Sequence, residues 1–396
     1  MTKTLSLLFL ASLLLAACSA SEATQAPEPT FPQAVEISTD DIQVAAVAQV
    51  LDWTSKVSME TKVDNLDEPW GFTFIDKNTV LITEKKGRLL IAIAAATPIE
   101  VKGIPKVTDS GQGGLLDVAL DPDYANNRWV YLTLSDPGPS GTAMTKLVRG
   151  KITDFKWIDE QVLFEAKPEH YVKSRAHFGS RITFDKAGHL YFSIGDRGKK
   201  EMAQDVRRPN GKIHRINRDG SIPADNPFLN TEGAYPSIFS YGNRNPQGLI
   251  VHPETDVLWE TEHGPRGGDE LNVIRSGVNY GWPEISYGIN YNGTVLTEFK
   301  TKPGMAQPES QWTPSIAVCG LDVYTGDLFP EWKGSLLVGS LAYETLRLVS
   351  VEGDQYKSEV TLLEAEGRIR DVTTGPDGAI YVALPDSIVR LSPTKP

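Results

Sequence analysis

The sequence predicts an all-β protein, and within that class a six-bladed β-propeller. Three observations carry the prediction. From about Trp53 onward, short β-branched and aromatic runs alternate with turn signals, and few segments keep a helical apolar period. One unit then recurs six times: an apolar strand, a turn holding Asp, Pro, Gly or Asn, and a second strand. Repeats with a period near 40 to 50 residues, each built of short strands, are the signature of propeller blades, and the uneven spacing here means that insertions are carried between the units. A stacked sandwich or β-solenoid would use similar strands, but the uneven insertions and the turn chemistry favour the ring.

The six units follow in order. GFTFIDKNTVLITEKKGRLLIA starts at Gly71 and DVALDPDYANNRWVYLTLSD at Asp117. RITFDKAGHLYFSIGD starts at Arg181 and QGLIVHPETDVLWETEHG at Gln247. GLDVYTGDLFPEWKGSLLVGSL starts at Gly320 and DVTTGPDGAIYVALPDSIVRLS at Asp371. A further strand over 56–63 precedes the first unit, so it is free to complete the last blade and close the ring. Loops at one end of such a ring converge on its axis, so residues distant in sequence can share a site.

Residues 1–18 form a targeting segment. Lys3 precedes an apolar run over 5–15 that is too short to span a bilayer, and the run ends in Leu15-Ala16-Ala17-Cys18. That ending resembles the bacterial lipobox, whose cysteine is lipidated and becomes the new N-terminus. Ser19 after the cysteine implies sorting to the outer membrane, hence a periplasmic, lipid-anchored protein. Residues 19–52, rich in Ala, Ser, Thr, Pro and acids, read as a flexible tether with a short helix over 40–51. Residues 53–396 form the propeller domain. With Cys18 lipidated, only Cys319 remains, in an apolar context that suits a buried small side chain. The net charge of −12, with no Lys/Arg-rich block, argues against nucleic-acid binding.

The stretch over 241–283 stands out as polar, glycine-rich and loop-like, with one apolar run over 257–259. It holds Arg244-Asn245, Gly264-Pro265, the acidic pair Asp269-Glu270, and two of the chain's six histidines. No close metal-binding histidine spacing exists. His189 and His252 fall inside strand-turn-strand units and read as structural. His177 lies just before a repeat strand, where a loop reaches the axis, so a neutral imidazole there could act as a general base. A structural histidine remains the competing reading. Arg368 and Arg370, two residues apart in an extended segment, point to one side, and an anion between them would relieve their repulsion. Pairing with Asp371 or Glu366 is the alternative. Gly264 and Pro265 can turn carbonyls toward one point, with Glu270 and Tyr280 as further oxygen donors, a set that suits Ca²⁺.

Taken together, the chain from about Asn65 to Ser392 resembles the soluble pyrroloquinoline quinone (PQQ) glucose/aldose sugar dehydrogenases. The resemblance rests on an ordered series of motifs: Gly111-Gln112-Gly113-Gly114, His177-Phe178-Gly179-Ser180-Arg181, Arg244-Asn245-Pro246-Gln247-Gly248, Glu262-His263-Gly264-Pro265, Asp269-Glu270-Leu271-Asn272, Asn279-Tyr280-Gly281-Trp282-Pro283 and Arg368-Ile369-Arg370-Asp371. It implies a six-bladed propeller that oxidises aldoses at the anomeric carbon to lactones with PQQ and Ca²⁺, passing electrons to an external acceptor. His177 matches the general base, and Arg244 and Asn245 the residues at the quinone oxygens. Gln112, Tyr291, the Ser340-Leu341-Ala342 segment, Arg368, Ile369 and Arg370 match cofactor contacts. Gly264, Pro265, Glu270 and Tyr280 match calcium positions. Two departures matter. Ala342 stands where the family often has a lysine, which removes one cationic cofactor contact. Ala176 stands where glucose-specialised members have an Asp before the base, which places the chain nearer the broad aldose branch. A non-redox propeller that binds a sugar or protein, and a Ca²⁺-dependent lactonase-type hydrolase, are the alternatives.

Overall fold

Six four-stranded antiparallel sheets succeed one another along the chain, over 69–101, 115–164, 182–241, 246–312, 318–364 and 371–393. The computed structural model describes residues 56–394 apart from 95 and 366. The expected lipid-anchoring cysteine, the tether and the helix over 40–51 lie outside the described residues. The last sheet takes its fourth strand from the other end of the chain. Val57–Val63 pairs antiparallel with Ser387–Pro393, Val57 opposite Pro393 and Thr61 opposite Val389, which closes the ring as expected. No helix of the described residues is long and apolar enough to cross a membrane.

The inner strands are Pro69–Asp76, Leu115–Leu120, Ile182–Phe184, Pro246–Val251, Val318–Val323 and Asp371–Thr374, each packed against its two neighbours around the axis. Side-chain alternation then builds the core. In Thr79–Glu84, Leu81 packs toward the second blade and Ile82 toward the sixth; Leu89 and Leu90 divide the same way in Arg88–Ile93. The six large apolar clusters each lie between two adjacent blades. A strand buried on both faces needs a continuous apolar run, which is why VLIT and LLIA do not alternate with polar residues.

Polar groups near the axis stitch the blades together. Thr133 Oγ1 accepts the Asp117 amide of its own blade and donates to the Ser180 carbonyl beside the next, at 3.0 and 2.7 Å. Ser193 repeats the pattern with the Arg181 amide and the Pro246 carbonyl. Arg181 is the hub. Its guanidinium pairs with Asp117 of the second blade at 3.1 Å and Asp371 of the sixth at 2.8 Å. It also donates to the Gln247 and Arg370 carbonyls and lies over the Trp70 ring.

The stretch over 241–283 holds more strand than its composition suggests. Pro246–Val251, Leu258–Glu262 and Asp269–Val273 are three strands of the fourth blade. Their polar residues disguised them. Glu260, Glu262 and Asn272 are buried because they face one another across the sheet, Glu260 opposite Asn272 and Glu262 opposite Glu270.

Candidate active site

In each blade, the loop before the inner strand and the end of the second strand lie at the same end of the ring, because those two strands are antiparallel. That end carries almost every residue singled out from the sequence. Gln112, Arg244-Asn245 and Arg368–Arg370 precede inner strands; His263 and Leu341 follow second strands. Gln112, Leu341, Arg368 and Arg370 line one cavity of about 170 Å³ together with Trp70, Lys85 and His263. An adjoining small pocket is lined by Arg244, Gly264, Pro265, Glu270 and Tyr280, and His263 borders both.

His177 occupies a left-handed backbone conformation with φ 56°, which a histidine adopts only when its surroundings hold it there. Its amide donates to Gln112 Oε1 at 2.6 Å. The buried Arg197 guanidinium binds the Ser174 carbonyl at 2.7 Å and also the Ala176 carbonyl, so it grips the residues just before. The imidazole Nδ1 meets Asp196 Oδ1 at 2.6 Å. The carboxylate therefore holds the Nδ1 proton and leaves Nε2 as the acceptor. Burial pushes His177 below the usual imidazole range, and the Arg244 and Arg197 charges add to this against the pull of Asp196. Burial alone would raise the Asp196 carboxyl, but its hydrogen bond to His177 and the nearby charges hold it below the usual range.

Arg244 donates to the His263 carbonyl at 3.0 Å and reaches the Tyr291 hydroxyl at 3.4 Å, while its Nε is buried without a partner. Asn245 accepts the Gly179 amide through Oδ1, and its Nδ2 is likewise buried and unpartnered. Tyr291 is 71% exposed, on the long connection inside the fourth blade, and meets the site through that hydroxyl and through its ring, 5.9 Å from the Arg244 guanidinium. Arg370 bonds Gln247 Oε1 at 3.0 Å. Asp371, one of the two acids considered as partners for the arginine pair, is committed to Arg181 and the Phe72 amide. Burial and the charge of Arg370 hold Arg368 below its ordinary value, the electrostatic mark of two cations sharing one wall.

Three expected contacts take a different form. The Ser340 hydroxyl is buried against Thr345, at 2.9 Å, and Ile369 packs in the apolar layer between the fifth and sixth blades. Both brace the cavity wall from behind, their backbones joined by an Ile369 amide to Ser340 carbonyl bond of 3.1 Å. The Tyr280 hydroxyl donates to the Val273 carbonyl at 2.6 Å and accepts the Arg275 amide at 2.8 Å. Its phenol is therefore committed, and its backbone carbonyl is the oxygen it can offer a cation. Asp269 spends both carboxylate oxygens on the Gly264, Ala317 and Val318 amides and the Ser315 hydroxyl, which pins the turn over 264–268.

Beneath Arg244 lie Glu260, Glu262 and Glu270. Burial raises the proton affinity of all three; repulsion from Glu262 adds to it at Glu260 and Glu270, while hydrogen bonds and the Arg244 charge work against it at Glu262. Glu262 accepts the Arg244 and Asn245 amides. Glu260 Oε1 and Asn272 Oδ1 are buried without partners. Among the described residues, no group of three or more acidic, His or Cys side chains closes around a single metal point. An ion here would depend on carbonyl oxygens and on a ligand.

Asp196 was not singled out from the sequence, and His263 only as part of the Glu262-His263-Gly264-Pro265 motif, with no role of its own. Asp196 ends the third repeat unit as one more turn aspartate, with nothing to mark it. His263 sits among two arginines and His177, and burial with those charges pushes it down to about 3, so it stays neutral.

The family model described as Glucose / Sorbosone dehydrogenase matches residues 66–391. The chain belongs to this family. It is 40% identical over 347 residues to the aldose sugar dehydrogenase YliI of Escherichia coli, covering 85% of this chain and 93% of that protein. It is 27% identical over 413 residues to quinoprotein glucose dehydrogenase B of Acinetobacter calcoaceticus, covering 82% of this chain and 84% of that one. The apo structure of the soluble E. coli aldose sugar dehydrogenase matches with TM-score 0.82 and 38% identity, over 85% of this chain and all (100%) of that chain. The PQQ-bound aldose sugar dehydrogenase of Streptomyces coelicolor matches with TM-score 0.71 and 27% identity, over 86% and 99%. As a member of the family, the chain is an oxidoreductase of the sugar dehydrogenase type, and the expected six-bladed fold is the family's own.

Proposed function

We propose that the protein oxidises aldoses at the anomeric carbon to lactones, with PQQ and Ca²⁺ bound at the axial cavity and an external electron acceptor. The observation that carries this reading is the pairing of a proton acceptor with an anion-binding wall. His177, tied to Gln112, stands beside a cavity lined by Arg368 and Arg370. The residues fit a planar quinone tricarboxylate. Two arginines share one wall, and Arg244 Nε and Asn245 Nδ2 are buried donors without protein partners. They also fit a hard cation: Gly264 and Pro265 adjoin a group of carboxyl and amide oxygens that lack positive partners.

PQQ, when bound, supplies the acceptor for the hydride leaving the anomeric carbon, and Ca²⁺ polarises it as a Lewis acid. His177 Nε2 takes the proton of the anomeric hydroxyl, with Asp196 stabilising the imidazolium that forms. Arg244 and Asn245 aim donors where negative charge develops. Gln112 holds the backbone of the base. The broad aldose preference rests on Ala176, which leaves no carboxylate before the base to select one sugar. Lipidation at Cys18 and a periplasmic, outer-membrane location complete the proposal and rest on residues 1–19.

The test is reconstitution. Adding PQQ and CaCl₂ to the purified protein should give dye reduction with several aldoses, and calcium alone should raise the melting temperature. His177→Ala should keep PQQ absorbance and lose turnover by roughly 10²- to 10⁴-fold. No activity with any aldose, and no retained PQQ, would sink the reading. Sugar binding without PQQ would favour a binding propeller, and lactone hydrolysis without PQQ a hydrolase.

A further inference from the structure

The roles given to His177 and Asp196 do not account for Trp282, which the fourth blade sends into the third. Its indole Nε1–H donates to Asp196 Oδ2 at 2.8 Å. The other carboxylate oxygen, Oδ1, meets His177 Nδ1 and the Gly198 amide, each at 2.6 Å. Asp196 is 1% exposed, so no bulk water competes for either oxygen. Trp282 is itself held: its amide donates to the Gly242 carbonyl at 2.8 Å, and its carbonyl accepts Gln204 Nε2 at 2.7 Å. Gln204 in turn exchanges hydrogen bonds with the Asn279 side chain. The indole ring also lies 5.2 Å from the Arg244 guanidinium.

We propose that Trp282 is a positioning residue for proton transfer, acting through Asp196 to hold the His177 imidazole with Nε2 toward the sugar. One hydrogen bond thereby joins the base on the third blade to the loop of the fourth blade that borders the calcium pocket. The inference rests on the dehydrogenase reading for its catalytic meaning, but the Trp282–Asp196–His177 chain can be tested without it.

The physical consequence has a sign. Without the indole N–H, Asp196 Oδ2 is a buried acceptor with no partner, and the carboxylate charge falls more fully on His177. The other charged or titratable groups near the imidazole are Arg197, Arg244 and His263, and Lys212 acts on Asp196. None of these changes in a Trp282→Phe variant, so the imidazolium should gain and His177 should titrate at higher pH.

The experiment is an NMR titration of the histidine rings in the cofactor-free protein, with His177→Asn used to assign the signal. Trp282→Phe should move the His177 midpoint upward, and the acid limb of kcat should move with it. In the loaded enzyme kcat should fall roughly tenfold with KM held, short of the ~10²–10⁴ expected for loss of the base. In an Asp196→Asn background the same substitution should add no further shift. An unmoved midpoint, or an equal shift without the carboxylate, overturns the proposal. Should Trp282→Phe fail to fold, the wild-type indole N–H resonance of Trp282 serves instead. It should move with the His177 transition, and indifference to that transition overturns the proposal. A coupled titration in a protein with no dehydrogenase turnover would remove the reaction reading alone. Turnover with an uncoupled titration would remove only the role of Trp282.

Discussion

At the scale of the residue, the site works by controlling which atoms remain available. Asp196 takes the Nδ1 side of His177, and Gln112 with Arg197 holds its backbone at a positive φ. The Nε2 lone pair is what remains. The pH dependence follows from the burial that depresses this imidazole. A base must be neutral to act, so activity is complete above the His177 pKa and is lost as pH falls through it. The acid limb of kcat/KM in the free enzyme should lie below the ordinary histidine value of about 6.5, and a limb above it would contradict the assignment. The second residue-scale prediction concerns Ala342. It follows Leu341 at the edge of the cavity that Arg368 lines, where the resemblance led to the expectation of a lysine. Ala342→Lys should tighten PQQ binding roughly tenfold, since one hydrogen bond between charged groups contributes about 1.5 kcal/mol. Calorimetric titration of both proteins measures this, and equal affinities would show that the remaining arginines already saturate the cofactor's carboxylates.

At the scale of the element, the propeller depends on one strand that comes from the wrong end of the chain. Val57–Val63 covers the outer edge of Ser387–Pro393, and Val63 packs with Ile388 in the layer between the sixth and first blades. Removing 56–63 would leave Ser387–Pro393 as an open edge with unpaired backbone groups, a template for strand addition. The truncated protein should melt at lower temperature and form higher-order species in light scattering. An unchanged melting temperature would mean that closure adds nothing to stability. This strand was legible in the sequence because a run of strand-forming residues lay before the first repeat with no partner of its own. The strands Leu258–Glu262 and Asp269–Val273 were less legible. Strand patterns are recognised by apolar residues, and these two carry Glu260, Glu262, Glu270 and Asn272 on one face.

At the scale of the whole molecule, Arg181 does what no single blade can. It comes from the third blade and touches Trp70 of the first, Asp117 of the second, Gln247 of the fourth and Asp371 of the sixth. It also pairs with Asp371, the carboxylate next in sequence to the arginines of the cavity. Arg181→Met keeps much of the volume but strands two buried acids, and breaking buried ion pairs of this kind costs about 3–5 kcal/mol. Chemical denaturation should show a loss of that order. Arg368 and Arg370 would gain a competing carboxylate, so PQQ affinity should fall as well. A variant as stable as the parent would remove Arg181 from its place as the hub.

The sequence by itself determined the class of fold, the number of blades, the closing strand and the family, because each is written in local patterns. Turn residues, two-sided apolar runs and ordered short motifs need no knowledge of what lies across the axis. It also brought forward His177, Arg244, Asn245, Gln112 and the arginine pair, since their motifs sit where loops reach the axis. Only the tertiary structure decided which side chains share each of those residues. Asp196 became the partner of His177, Asp371 the partner of Arg181, and the phenol of Tyr280 a hydrogen-bond partner of backbone rather than a free oxygen. The reason is geometric. In a ring, the loop before a blade's first strand meets the end of its second, and the axis brings opposite blades together, so partners lie 19 positions apart for His177 and Asp196 and 189 for Arg181 and Arg370. Carboxylates or carbonyls at such separations carry no local mark of the hydrogen bond they will make.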